Sequence, residues 1–340
     1  MTARDAFGLT AALCVALLGS LVFEAIGFPS APLTGSAAAV SVAALMGLPV
    51  YMPNWFRTAA FVLLGINIGS SVTSEMLATA IAWPITITIL MISLCISLQV
   101  CRMGLSRWMQ FSPRDAVLAA APGHLSYALA LSLDGNGQTS RIAVVQSIRV
   151  LFLTLCVPVL VATVFGATGL HLVPANPLPL LPLGALIVAT LGVGAIFQRL
   201  KIPAAYLLAG ISCSAVGHVL NFTPGQPPKQ AIYLAFLVMG TLIGSRFAGQ
   251  KLRDIRLDLL AGLWVTGVNV TITLCAIGVS MVLMGLPPAL LIVAFAPGGV
   301  EAMAAIAVTL GLDPAFVAAH HVMRLMILTV LMPVMLRLAR

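Results

Sequence analysis

Charge is what this sequence has least of. Only 8% of its 340 residues are charged and 61% are hydrophobic. A soluble globular domain carries about 25% charged residues. This chain therefore cannot cover a water-facing surface, and a water-soluble enzyme or binding module is excluded. Acids are scarcer still, nine against 17 lysines and arginines. Chemical motifs are missing as well: there is no Walker motif, no dinucleotide glycine fingerprint, no HExxH and no GxSxG. Without a phosphate-cradling loop, nucleotide-driven transport by this chain alone is not expected. Neither a cofactor nor enzymatic chemistry is expected. The six cysteines (Cys14, Cys95, Cys101, Cys156, Cys213, Cys275) form no CxxC pair and sit in apolar runs. They read as small buried residues rather than disulfides or metal ligands.

What is present is long apolar runs, at 11–23, 59–68, 85–100, 150–165, 178–197 and 259–283. A helix rises about 1.5 Å per residue, so about 20 apolar residues cross about 30 Å of hydrocarbon. With their mildly polar flanks, about ten segments read as membrane helices. Residues 1–27 resemble a secretory signal in having a basic residue before an apolar stretch. An equivalent stretch recurs in mid-chain, so they read as a first membrane helix. The net charge of +8 fits basic cytoplasmic loops; no direct nucleic-acid partner is expected.

The chain is written twice. "APGHLSYALALSLDGNGQTSRIAVVQSIRVLFLTLCVP" from residue 121 matches "APGGVEAMAAIAVTLGLDPAFVAAHHVMRLMILTVLMP" from residue 296 at a constant offset of 175. Arg149 falls on Arg324 and Pro158 on Pro333. Upstream, Gly35 falls on Gly210, Pro49 on Pro224, and "GINIGS" from Gly65 on "GTLIGS" from Gly240. The repeats are residues 1–165 and 176–340, together one membrane domain. Six elements are expected in each, near 7–27, 31–48, 57–73, 78–101, 114–134 and 141–166, then 181–199, 204–221, 231–248, 257–284, 289–311 and 315–337.

Loop charge gives orientation. The loop at 70–77 carries Glu75 and no base, whereas its equivalent at 246–256 carries Arg246, Lys251, Arg253 and Arg256. The loop at 102–114 carries Arg102, Arg107 and Arg114, whereas its equivalent near 284–289 is uncharged. Basic loops thus swap sides between the halves, which inverts one half relative to the other. Inversion needs an odd number of crossings per half, so one of six segments must not cross completely. The segment with Ala-Pro-Gly is the candidate, because proline removes a donor and clashes with the preceding turn. Such a break is tolerated only against protein or a water-filled cavity. The expected fold is an all-α integral membrane protein. It has two inverted-topology repeats of about five crossing helices, each with one broken or re-entrant Ala-Pro-Gly segment.

Arg149 and Arg324 lie deep in apolar helices, where a charge costs at least ~2.5–3.5 kcal/mol. Two readings stand beside each other. The pair anchors an anionic solute near the midplane, or each arginine ties carbonyls of its own half's broken helix. Glu301 is the one carboxylate deep in the second broken segment, and Ser126 is its counterpart. A static pair with Arg324 is the preferred expectation, with titration during a transport cycle as the alternative. His321 matches Gln146 and stands three residues before Arg324, hence on its face. Adjacent His320 points about 100° away and is expected to pack or bond a neighbouring helix. A Glu301–His metal site is a weaker alternative. Pro122–Gly123 and Pro297–Gly298 supply frayed helix ends whose amides attract anions. The candidate solute-binding residues are therefore Pro122, Gly123, Ser126, Gln146, Arg149, Pro297, Gly298, Glu301, His321 and Arg324. Gly65/Gly69 and Gly240/Gly244, spaced as GxxxG, are expected to allow close helix packing. Asp134 and Asp313 are expected to cap helices.

These residues resemble the duplicated AbrB-type membrane protein family. Its halves carry an APGG-like stretch, here "APGGVEAM" (296–303) and "APGHLSYA" (121–128). Its second half carries a V-A-x-H-H-x-x-R run, here "VAAHHVMRL" (317–325), with "AVVQSIRVL" (143–151) as the first-half copy. His124 departs from the family's glycine and Tyr127 from its usual surroundings. The resemblance implies a distant likeness to the cation/proton antiporter and bile-acid symporter superfamily, with inverted five-helix units and crossed broken helices. It also brings a label of gene regulation and an older one of ammonia monooxygenase. Three readings follow: a secondary transporter of a small solute, a membrane regulator acting indirectly, and a membrane oxygenase, which would need a richer ligand cluster. Transport is the leading reading. The expected partners are a small solute, for which the matched arginines suggest an anion, the lipid bilayer, and further copies of the chain. The expected location is the bacterial cytoplasmic membrane, multi-pass, with both termini cytoplasmic.

Overall fold

A computed structural model of the chain describes residues 3–70, 83–123, 125–133, 138–166, 177–250 and 256–338, with the Ser126 side chain outside that description. Among the described residues there is no β-strand, and seven helices in each half follow one another in the same order. The first half has α1 (Ala3–Ala25), α2 (Ala31–Leu45), α3 (Asn54–Gly69), α4 (Trp83–Trp108), α5 (Pro113–Ala120), α6 (Leu125–Leu133) and α7 (Thr139–Phe165). The second has α8 (Leu180–Arg199), α9 (Ala205–Val219), α10 (Lys229–Gly244), α11 (Arg256–Met284), α12 (Pro288–Phe295), α13 (Val300–Thr309) and α14 (Pro314–Leu338). A short 3-10 turn, Ser245–Phe247, follows α10.

Among the described residues seven helices are long and apolar enough to cross a membrane: α1, α4, α7, α8, α10 with its 3-10 turn, α11 and α14. The other three expected crossings, α2, α3 and α9, have only 15 or 16 residues. They pack against helices of the other half, α2 on α10 and α3 on α9, while Val42 of α2 and Val216 and Val219 of α9 stay exposed. Each half therefore inserts its second helix against the third helix of the other. Glycines make this contact close. A Cβ on Gly65 would stand 2.4 Å from the Leu207 carbonyl oxygen, and one on Gly240 would stand 2.4 Å from that of Leu33. Gly69 and Gly244 extend the two contacts, against Ile211 and Val40. The outward faces of α8 and α11 are apolar and uncovered, as at Leu180, Leu181, Val188 and Val282.

The segment expected at 114–134 is two helices. Ser112 caps α5, accepting from the Asp115 amide at 3.0 Å, with Pro113 in the first turn. The helix ends at Ala121, which is extended (φ −63°, ψ 118°) because the following Pro122 disfavours helical geometry there. Gly123 then takes φ +90°, open only to glycine at little cost. The second half repeats the break: Ala296 is extended before Pro297, and the Gly298 amide turns back to the Ala296 carbonyl at 2.8 Å. The element expected at 78–101 is α4, which runs to Trp108.

Side-chain contacts give the helix directions. Trp108 meets Trp264 at 5.0 Å between ring centroids while Cys101 meets Asn269 at 3.6 Å, so α4 and α11 are antiparallel. Trp83 meets Phe316 near the start of α14, and Arg102 reaches the Leu338 carbonyl at its end, so α4 and α14 are parallel. Arg141 pairs with Asp258 at 2.7 Å and Ile148 faces Gly262, so α7 and α11 are parallel. The equivalent helices α4/α11 and α7/α14 thus run in opposite senses. Arg141 also donates to the Met109 carbonyl at 3.3 Å, which places the end of α4 beside the start of α7. The α5–α6 segment joins those two points, and Arg114 at its start donates to the Leu131 carbonyl near its end.

Candidate functional site

The two helix breaks meet. A Cβ on Gly123 would stand 3.5 Å from the Gly298 carbonyl oxygen and 3.2 Å from the Leu325 side chain. Each break is held by the long helix after it. In the first half Gln146 donates to the Leu118 carbonyl at 2.8 Å, and Arg149 donates to the Ala120 and Ala121 carbonyls at 3.1 Å each. In the second half His321 Nε2 lies 3.0 Å from the Val293 carbonyl, and Arg324 donates to the Ala296 carbonyl at 2.6 Å. His321 Nδ1 also contacts the Arg324 guanidinium. A helix leaves its last carbonyls without intrahelical partners; here they end inside the protein and guanidinium groups satisfy them. Both arginines are fully buried, and their charges are near enough to act on one another. The contacts of the carbonyl-tying reading are present in both halves.

The preferred Arg324–Glu301 pair is not formed. Glu301 instead faces Arg57, with 3.8 Å between Oε1 and Nη2. The reason is direction: Glu301 lies in the first turn of α13, after the break, whereas Arg324 is turned onto the end of α12, before it. His320 bonds the Phe316 carbonyl (2.8 Å) and the Thr86 hydroxyl of α4 (2.7 Å), as expected of a residue joining neighbouring helices. Asp313 caps α14, accepting from the Ala315 and Phe316 amides. Glu75, His124, Asp134, Lys251, Arg253 and the side chain of Ser126 lie outside the described residues.

Beside the crossed breaks lies a cavity of about 320 Å³. Its wall is built from both halves: Gly123, Leu125, Gln146 and Val150 from the first hairpin and α7, Gly299 to Ala302 from the start of α13, and Met239 to Arg246 along α10 and its turn. Arg57 and Phe61 of α3 complete it. A second cavity of about 390 Å³ shares Arg57, Phe61 and Ala204 and continues to Asn54, Gln198 and Tyr206. Three of the expected site residues, Gly123, Gln146 and Glu301, line the cavity. Pro122, Arg149, Gly298, His321 and Arg324 do not line it, and Pro297 lines a separate apolar pocket against α7 and α11.

Arg57 and Arg246 are the lining residues that sequence reasoning passed over. Both sit at helix ends and read as loop charges. Neither has a charged counterpart, since Arg57 falls on Ile232 and Arg246 on Ser71. A search for matched charges selects the scaffold, which both halves need, over a binding surface that only one face carries. Gly299 at the N-cap of α13 offers no side chain to the first-turn amides. These amides lack intrahelical partners and carry the positive end of the helix dipole. Among the described residues no three of His, Cys, Asp and Glu gather as a metal site.

The chain is 26% identical over 326 residues to "Putative regulator AbrB" of Escherichia coli (strain K12), covering 92% of this chain and 91% of that protein. It is 26% identical over 294 residues to "Uncharacterized protein YhjN" of Bacillus subtilis (strain 168), covering 81% and 76%. Residues 32–340 match the model of the family described as "Transition state regulatory protein AbrB", and the chain belongs to that family.

Proposed function

We propose that the protein is a secondary transporter of the bacterial cytoplasmic membrane. It moves a small solute by alternating access around the cavity at the crossed breaks. Opposite directions of α4/α11 and α7/α14 support two inverted repeats. In the first half the chain enters and leaves the broken segment at one end of the helix stack, which supports a re-entrant hairpin there and, by the repeat, five crossings per half. Breaks at mid-depth are tolerated where they line a cavity, and carriers built from inverted repeats bind their solutes there. The basic face that bears Arg57, Arg199, Lys201 and Arg246 is the cytoplasmic one under the positive-inside rule. Both termini then lie in the cytoplasm, and the cavity opens inward.

The observation that carries this reading is the cavity itself, walled by both hairpins and by helices of both halves. Rocking one part against the other would move the opening without dismantling the wall. The word regulator in a relative's name gives no competing site: its activity on genes would be indirect, through the solute moved.

A thermal-shift screen of small organic acids and amines on purified protein identifies binding solutes, and uptake into proteoliposomes then tests transport. Saturable accumulation is expected, with loss in Arg57→Gln at an unchanged unfolding temperature. If no binding solute accumulates inside the vesicles, the transporter reading fails.

A further inference from the structure

Resting on the carrier reading, we propose that the solute is a small monocarboxylate with a short apolar tail. It binds Arg246 and takes the place that the Glu301 carboxylate now holds beside Arg57.

Charge comes first. The cavity wall holds two guanidinium groups, Arg57 and Arg246, against one carboxylate, Glu301, a surplus of one positive charge. The three groups are close enough for both Glu301 and Arg57 to act on Arg246. Yet among the described residues Arg246 makes neither a hydrogen bond nor an ion pair. A guanidinium has five donors in a fixed fork suited to a carboxylate. One left uncommitted at a cavity wall is a site for an anion. A monoanion brings the cavity to neutrality; an amine would bring a third cation to it.

Shape comes next. Phe61, Leu242, Ile243 and Leu325 make much of the remaining wall apolar, which suits a hydrocarbon tail. Phosphate would turn part of its oxygens onto Phe61, Leu242, Ile243 and Leu325, which have no donors for them. The volume of about 320 Å³ holds about ten waters at about 30 Å³ each, so the solute is small.

Glu301 supplies the third argument. Its Oε2 is 3.1 Å from where a Cβ on Gly299 would stand, so the carboxylate lies at the N-terminus of its own helix. Its contact with Arg57, at 3.8 Å, is too long for a hydrogen bond. A carboxylate held this loosely among donors occupies the position of the cargo and is easily exchanged for it. Once displaced, two negative groups face two positive ones.

The test uses the full-length protein in detergent at fixed ionic strength. The probes are butyrate and benzoate, butylamine and benzylamine, benzyl alcohol as neutral isostere, and inorganic phosphate. Unfolding temperature and calorimetric Kd are read. Only the carboxylates are expected to bind. Arg246→Gln is expected to weaken them at least about tenfold, the range for a lost charge-assisted bond. Glu301→Gln is expected to tighten them several-fold, because the resident competitor loses its charge. Should Arg246→Gln not fold, Arg246→Lys keeps the charge without the fork and is expected to weaken binding by less. Binding by amines, by the neutral alcohol or by phosphate alone overturns the proposal. So does failure of both carboxylates, or weaker binding in Glu301→Gln. Carboxylate binding without vesicle uptake removes the carrier reading and leaves the site. Uptake of an amine or a neutral solute, independent of Arg246, removes the anion and leaves the carrier.

Discussion

Arg149 and Arg324, 175 positions apart, make the same bond in the two halves: one donates to the Ala121 carbonyl and the other to the Ala296 carbonyl, and those acceptors are also 175 apart. Gln146 and His321 repeat the relationship one turn earlier, on Leu118 and Val293. What the two halves share is thus a broken segment together with the helix that latches it. The arginines cost energy to bury, and they are retained because the breaks would otherwise leave carbonyls unsatisfied in a medium without water.

Removing either latch is expected to lower stability. Arg149→Gln leaves the Ala120 and Ala121 carbonyls unpaired, at about 1–3 kcal/mol each, and Arg324→Gln leaves the Ala296 carbonyl with the Gly298 amide alone, a smaller loss. Thermal unfolding in detergent is expected to show a lower midpoint for both. Protein that remains folded should still bind solute, since neither guanidinium lines the cavity. Unchanged midpoints with abolished binding would instead make the arginines solute ligands.

The close crossings of α2 with α10 and α3 with α9 give a second expectation. Gly240→Ala would bring a Cβ to 1.8 Å from Ser36 Oγ and 2.4 Å from the Leu33 carbonyl, so backbones must separate. Overpacking of this kind costs about 1–3 kcal/mol. Gly184→Ala is the control: nothing lies within 4 Å of its Cβ, and a gain of about 0.5–1 kcal/mol is expected from helix propensity alone. Comparing the two unfolding midpoints checks the crossing.

The inverted arrangement is tested by cysteine labelling. Ser112 precedes α5 and Pro287 precedes α12 at equivalent positions. Cysteines placed there, with the six native ones removed, are expected to react with an impermeant maleimide from opposite faces of the membrane. Labelling from one face would mean that both halves have the same orientation.

Much of the scaffold was legible because duplication prints it twice. Constant spacing through prolines, glycines and one buried arginine located the breaks and their latches before any coordinates. Helix lengths were less legible: α2, α3 and α9 have only 15 or 16 residues, and apolar runs do not tell packing against protein from exposure to lipid. The cavity was least legible. Arg57 and Arg246 become wall residues only because α3 and α10 come from different halves and end on one face. Nothing in their local sequence separates them from ordinary loop bases. Glu301 was found, but its partner was not: it follows the break, whereas Arg324 is turned onto the end of the helix before it.

The contact between Arg57 and Glu301 separates a stabilising role from a working one. Arg57 is more than half exposed and the distance is 3.8 Å. Pairs of this kind contribute about 0–1 kcal/mol. Glu301→Gln is therefore expected to move the unfolding midpoint by less than that amount allows, and a double-mutant cycle with Arg57→Gln should give a coupling energy below about 1 kcal/mol. Uptake, in contrast, should change markedly in either single variant, because both groups line the cavity. A large stability coupling with unaltered uptake would make the pair a strut of the fold and take the cavity out of the transport path.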